Sequence, residues 1–197
     1  MAKTDPVQAK KEEKRRTRNW VITIFFATIA ISAAISLVSD FVMGKSSMIV
    51  AFLILLMIVF IGIIFDIVGM AVATADEKPF HAMAARKVPG ARAAITLLRN
   101  AERVSSICND VVGDICGVVS GSASATIAAQ ILRNFDFSWP QIITLLMSAL
   151  CAGLTVGGKA IGKSIAVNSC TAIVHTVGKL IFRFQNLTGG NRKKKRK

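Results

Sequence analysis

The sequence predicts an all-α integral membrane protein: four transmembrane helices, with amphipathic juxtamembrane helices on the cytoplasmic side. Three observations predict it. Apolar residues make up 53% of 197 residues, yet 25 Lys and Arg stand against 11 Asp and Glu, so the two kinds of residue must be segregated. Residues 20–38, 48–65 and 139–158 contain no charge at all. Such runs of about 18–20 residues match a hydrocarbon core of roughly 30 Å at about 1.5 Å per helical residue. The third observation is the placement of the basic residues, 23 of which fall on one side of a four-span topology and two (Lys45 and Arg133) on the other. That bias puts both termini in the cytoplasm and points to the plasma membrane.

The basic tail 1–19 carries seven Lys and Arg and leads into Trp20. A signal peptide has this order, but its apolar region is about 7–15 residues with a small-residue cleavage site. Here the run extends to Ser39, so residues 20–39 read as a retained first span with Trp20 at the interface. The second span is 48–75. The third, 104–132, is rich in Ser, Gly and Ala and contains Asp110 and Asp114, so charge placement rather than hydropathy argues for it. The fourth is 139–158. The four cysteines (Cys108, Cys116, Cys151, Cys170) lie in or beside apolar segments without CxxC spacing, and read as reduced packing residues.

The connector 77–103 is patterned as a cytoplasmic helical hairpin. Phe80, Met83 and Ala84 fall at helical spacing before Pro89-Gly90 turns the chain. Ala91, Ala94, Ile95 and Leu98 then face one way, and Arg92, Arg99 and Arg103 the other. Residues 165–184 repeat the pattern as a juxtamembrane helix, with Ile173, Val177, Leu180, Ile181 and Phe184 opposite Lys179 and Arg183. Gly189-Gly190 is expected to end it, and the tail 185–197 finishes in six basic residues, Arg192–Lys197. Beside a membrane such a run contacts anionic lipids, at about 1 kcal/mol per charge. Nucleic acid is not an expected partner.

Asp66, Asp110 and Asp114 lie within predicted spans, where each costs roughly 2.5–3.5 kcal/mol at a helix centre unless it is partnered or functional. Counting helical rise places Asp66, Asp110 and Lys159 at one depth. Gly113, Gly117, Gly121, Ala125 and Ala129 recur every four residues, a small-residue seam for close helix packing within or between protomers. Two readings stay open at this point: a polar pocket at a helix interface, or a structural Asp–Lys ion pair beside a self-association seam.

Gly157–Ser164 reads GGKAIGKS and satisfies the P-loop pattern. That loop needs a preceding strand and βαβ alternation, and the chain has neither pattern, so no nucleotide is expected. His81 and His175 stand alone on amphipathic segments. No Ser/His/Asp or Cys/His set converges, so the chain reads as no enzyme.

Three stretches carry a family resemblance. Gly158–Ala166 (GKAIGKSIA) looks like a Gly-Glu-x-x-Pro-Lys-Ser stretch closing a last span. Asn100-Ala101-Glu102-Arg103 leading to Asn109–Gly113 looks like Asn-Pro-x-Arg followed by Gly-Asn-x-Leu-Val-Asn, with spacing about three residues shorter. Phe65–Thr74 stands in place of a Phe-Ser-x-Ser-Glu-x-Ala segment before the basic helices. Over residues 48–184 the chain resembles the transmembrane domain of the CNNM (cyclin M)/CorC family, in a short form without CBS modules.

The resemblance implies divalent-cation transport, Mg2+ as the ion, and a homodimer. In that family Ser and Asn side chains and backbone carbonyls hold magnesium. Here Asp66 stands at the first Ser, Val68 at the second, Asn109 at the first Asn and Gly113 at the second, while Gly69 and Lys159 replace two Glu. The expected metal set is therefore Asp66, Asn109, Asp110 and Asp114, with Lys159, Lys163 and Ser164 as counter-ion or gate. Lys159 divides a transporter from the alternative, a non-transporting membrane scaffold or accessory subunit whose Asp/Lys cluster is a structural ion pair.

Overall fold

The computed structural model describes residues 6–134 and 139–193, and every regular element among them is helical. In chain order these are α1 (Pro6–Lys45), α2 (Met48–Thr74), α3 (Lys78–Ala85), α4 (Ala91–Arg99), α5 (Ala101–Ser106), a π-helical segment (Ile107–Gly113), α6 (Asp114–Asn134), α7 (Pro140–Asn168) and α8 (Cys170–Lys193). Four stretches are long and apolar enough to cross a membrane: Arg18–Gly44, Met48–Thr74, Ala101–Asn134 and Pro140–Asn168.

Several boundaries differ from the sequence reading. The fourth helix does not stop at 158 but runs to Asn168, because Gly158 and Gly162 lie in its interior against α2. A Cβ at Gly158 would overlap Ile63 Cδ1, and one at Gly162 would meet Ile67 Cγ1 at 2.8 Å. Those two glycines let α7 seat itself on branched side chains. The break comes at Ser169, whose ψ of 23° leaves the helix, and α8 starts at Cys170 rather than 165. Gly189-Gly190 does not end α8, which continues to Lys193; glycine inside a helix weakens it by about 1 kcal/mol without forbidding it. GGKAIGKS lies wholly inside α7, where intrahelical bonding occupies the N–H groups a phosphate loop would present.

α2 is the central post, packed against α5, the π segment, α6, α7 and α8. Two apolar clusters form along it. One joins Ala51, Leu55 and Val59 to Met43, Ala123, Ile127 and Cys151. The other joins Ala71 and Val72 to Phe80, Ala94, Leu98, Ala166 and Val174. Between them α2 presents Gly62, Asp66 and Gly69, spaced i, i+4, i+7 and so on one face.

α1 leans on α6, where Gln130 Nε2 donates to the Met43 carbonyl at 2.7 Å. That carbonyl sits in the last turn of α1 and also accepts from the Ser46 N–H at 3.2 Å. The α3–α4 hairpin buries Phe80, Ala91, Ala94 and Leu98, the face its periodicity predicts. It then crosses α8 at Gly90 and Gly178, where the Gly90 carbonyl would lie 2.7 Å from a Cβ at 178.

Among the described residues, the small-residue seam is not used within the chain beyond Gly113. Gly121, Ala125 and Ala129 are exposed, and a Cβ at Gly117 or Gly121 meets no atom within 4 Å. The buried face of α6 is instead Ile115, Val119, Ser120, Ala123, Ser124, Ile127 and Ala128. Close packing along the seam is thus not made among the described residues. Gly121→Leu is expected to leave the monomer's melting midpoint where it is, as an open site should, while dissociating any dimer on detergent size exclusion. A monomer destabilised by this change would show that the seam packs internally.

Candidate functional site

The stripe Gly62–Asp66–Gly69 faces the π segment and the start of α6. A Cβ at Gly62 would press on Cys116 Cβ at 2.8 Å, and one at Gly69 would overlap Asn109 Oδ1. The glycines above and below Asp66 thus draw the third span onto α2 around a carboxylate. A π turn is wider than an α turn, and such turns gather at functional sites in helices. Here it carries Asn109 inward, toward Gly69, and Asp110 outward.

Asp66 is buried, with its side chain 9% exposed, and Lys159 Nζ lies 3.9 Å from its Oδ1. The same ammonium lies 4.0 Å from Asp114 Oδ1, whose side chain is 72% exposed. Neither distance is a hydrogen bond. Gly113 makes room for this arrangement. The position its Cβ would take is 3.3 Å from Lys159 Nζ, 3.5 Å from the Cys108 carbonyl oxygen and 3.8 Å from Asp66 Oδ1. The ammonium of Lys159 therefore borders the space that the missing side chain leaves open.

Two acceptor oxygens at this interface lack donors. Asp66 Oδ2 and Asn109 Oδ1 are both buried without a hydrogen-bond partner among the described residues. Asn109 uses its Nδ2 to donate to Ser105 Oγ at 3.3 Å, leaving its carbonyl toward α2. Buried polar atoms are rarely left unsatisfied, and each such group is costly. Both being acceptors, what satisfies them is a cation or a donor such as water.

The four residues expected to hold metal are thus not one set. Asp66 and Asn109 share the α2–π interface, and Asp114 joins Asp66 only through Lys159. Asp110 accepts a bond from Ser106 Oγ at 2.8 Å and is exposed. Asp114, rather than Asp110, is the second partner of Lys159. No group of three His, Cys, Asp or Glu side chains suited to a metal exists among the described residues. Lys163 and Ser164 are exposed one turn further along α7. Ser105 and the π turn escaped sequence reasoning, and Gly69 entered it only as the replacement of a family Glu, not as the surface on which Asn109 docks. Only Gly69 left a signal, its spacing from Gly62 and Asp66.

Elsewhere, His81 Nε2 lies 3.3 Å from Glu77 Oε2 on the exposed hairpin, and His175 Nε2 is buried without a partner among the described residues. The described cysteines are all free, and Cys151 Sγ donates to the Ser120 carbonyl at 3.4 Å. No family model, curated protein or solved structure matches the chain.

Proposed function

We propose that this is a multi-pass membrane protein that binds or moves a cation at the α2–π interface, with Asp66 and Asn109 as its ligands. The observation that carries the reading is that two acceptor oxygens at this interface, Asp66 Oδ2 and Asn109 Oδ1, are each buried without a hydrogen-bond partner among the described residues. Ionisable groups inside a span are costly and mark ion pathways, and irregular helix supplies oxygen ligands in many transporters. The resemblance to the CNNM/CorC transmembrane domain adds a family in which magnesium is the ion and two copies associate. The basic tail completes the picture as an anchor on anionic lipids, and the exposed face of α6 as the dimer contact.

A second reading rests on Lys159. Standing 3.9 Å and 4.0 Å from two carboxylates, it already neutralises one charge, as a fixed ion pair in a scaffold or accessory subunit would. Cation flux into proteoliposomes, comparing the wild type with Asp66→Asn, separates the two. Flux abolished by the substitution supports a transport site, and no flux of any cation in either protein favours the scaffold.

The orientation has its own test. With all four native cysteines replaced, a cysteine at Ser46 is expected to label from outside intact cells and one at Ala91 only after permeabilisation. Labelling of position 91 from outside would reverse the topology.

A further inference from the structure

The geometry around Gly113 says more about the cargo than the resemblance does. This step rests on the cation-site reading above and names the class of ion for that same site. Beside Gly113 stands a singly charged group, the ammonium of Lys159, 3.9 Å from Asp66 Oδ1. Asp66, Asp114 and Lys159 together carry a formal charge of −1. Asp110, one turn before Asp114 in the π segment, and Lys163, one turn beyond Lys159 in α7, are exposed and opposite in sign, so they leave the count unchanged.

We propose that the site takes one monovalent cation, bound by Asp66 and Asn109, while Lys159 passes from Asp66 to Asp114. Three observations support it. Lys159 Nζ is nearly equidistant from the two carboxylates, at 3.9 Å and 4.0 Å, so a small movement exchanges partners. Asp66 Oδ2 and Asn109 Oδ1 are free to receive an ion while Lys159 still touches Oδ1. A single added charge brings the cluster to neutrality, whereas a divalent ion leaves an excess positive charge in a low-dielectric interior, where unpaired charge is heavily penalised. Magnesium is also poorly served chemically. It demands near-octahedral oxygen ligation and gives up its waters reluctantly, and this site offers one carboxylate and one amide oxygen beside a competing ammonium.

The handover gives Asp114 a role without contact to the ion. It receives Lys159 when Asp66 is taken, so removing it strands the ammonium on Asp66.

The test is thermal unfolding of the full chain in detergent, titrated with NaCl, KCl or MgCl2 at ionic strength fixed with N-methyl-D-glucamine chloride. The wild type is expected to be stabilised saturably by sodium or potassium and not by magnesium. Asp66→Asn should abolish the response. Asp114→Asn should raise the half-saturating concentration at least tenfold. Lys159→Met, with a formal charge of −2, should invert the preference and respond to magnesium at least tenfold more sensitively than the wild type. Lys159→Gln serves in its place if the Met variant does not purify, and uptake of sodium or rubidium tracer by wild-type proteoliposomes supplies an independent readout.

A wild type saturated by magnesium at lower concentration than by either monovalent ion would overturn the monovalent assignment and leave the cation site standing. A monovalent response that survives in Asp66→Asn would overturn the assigned ligand. No response or uptake with any ion, in the wild type or the variants, would remove the cation site itself and leave the ion-pair scaffold.

Discussion

Replacing Lys159 by Met is expected to destabilise the chain by about 3–5 kcal/mol, the range for breaking a buried ion pair and leaving one charge uncompensated. For a domain of this size that lowers the melting midpoint by roughly 6 °C or more. The effect is large because Asp66 has almost no access to solvent, with its side chain 9% exposed, and its Oδ2 has no hydrogen bond to fall back on. Thermal unfolding in detergent without added metal measures it. Adding Asp66→Asn to the Lys159→Met protein removes the stranded charge and should recover most of the loss. If the single variant melts with the wild type, the pair is not holding the helices.

The second large effect lies at the far end of the fold. Gly90 has φ of +88°, in the left-handed region, where a side chain costs about 1–2 kcal/mol. Its Cβ would also lie 2.5 Å from the Lys179 amide nitrogen, 2.6 Å from Lys179 Cα and 2.8 Å from the Gly178 carbonyl carbon. All three are backbone atoms, which cannot rotate aside. Forcing α4 off α8 adds roughly 1–3 kcal/mol of overpacking, so Gly90→Ala is expected to cost about 2–5 kcal/mol. Gly178→Ala tests the same crossing from the other side without the unfavourable φ, and should cost less. Both variants melting within about 1 °C of the wild type would mean that the hairpin is not clamped on α8.

Much of the fold was legible because hydropathy and helical period act locally. The four long apolar stretches follow from segregated charge, and the hairpin's buried Phe80, Ala94 and Leu98 follow from a 3.6-residue repeat. The level shared by Asp66 and Lys159 followed from counting rise, and the structure sets them 3.9 Å apart. What was hidden is whatever depends on a neighbour. Nothing in Ile107–Gly113 marks it as π rather than α, or shows that Asn109 within it docks against Gly69. Depth alone did not tell Asp110, held by Ser106, from Asp114, which faces Lys159. The i, i+4 seam from Gly113 to Ala129 is real as a pattern, but which side of α6 meets α2 is set by tertiary packing. The far end of α7 was misjudged for a similar reason. Gly158 and Gly162 look like breakers in isolation and are contact surfaces against Ile63 and Ile67.

The π segment also gives the third span a latent register choice. Deleting one residue within it, Val112 for instance, would restore an ordinary α-helix from Ala101 to Asn134. The part before the deletion would then rotate by about 100° and shift by about 1.5 Å relative to α6. Asn109 would swing off Gly69 while the face of α6 that holds Ile115, Val119 and Ala123 stayed seated. The segment behaves as a clutch between two rigid rods. The lower rod can be turned without disturbing the upper one, and the polar interface exists only in the setting with the extra residue.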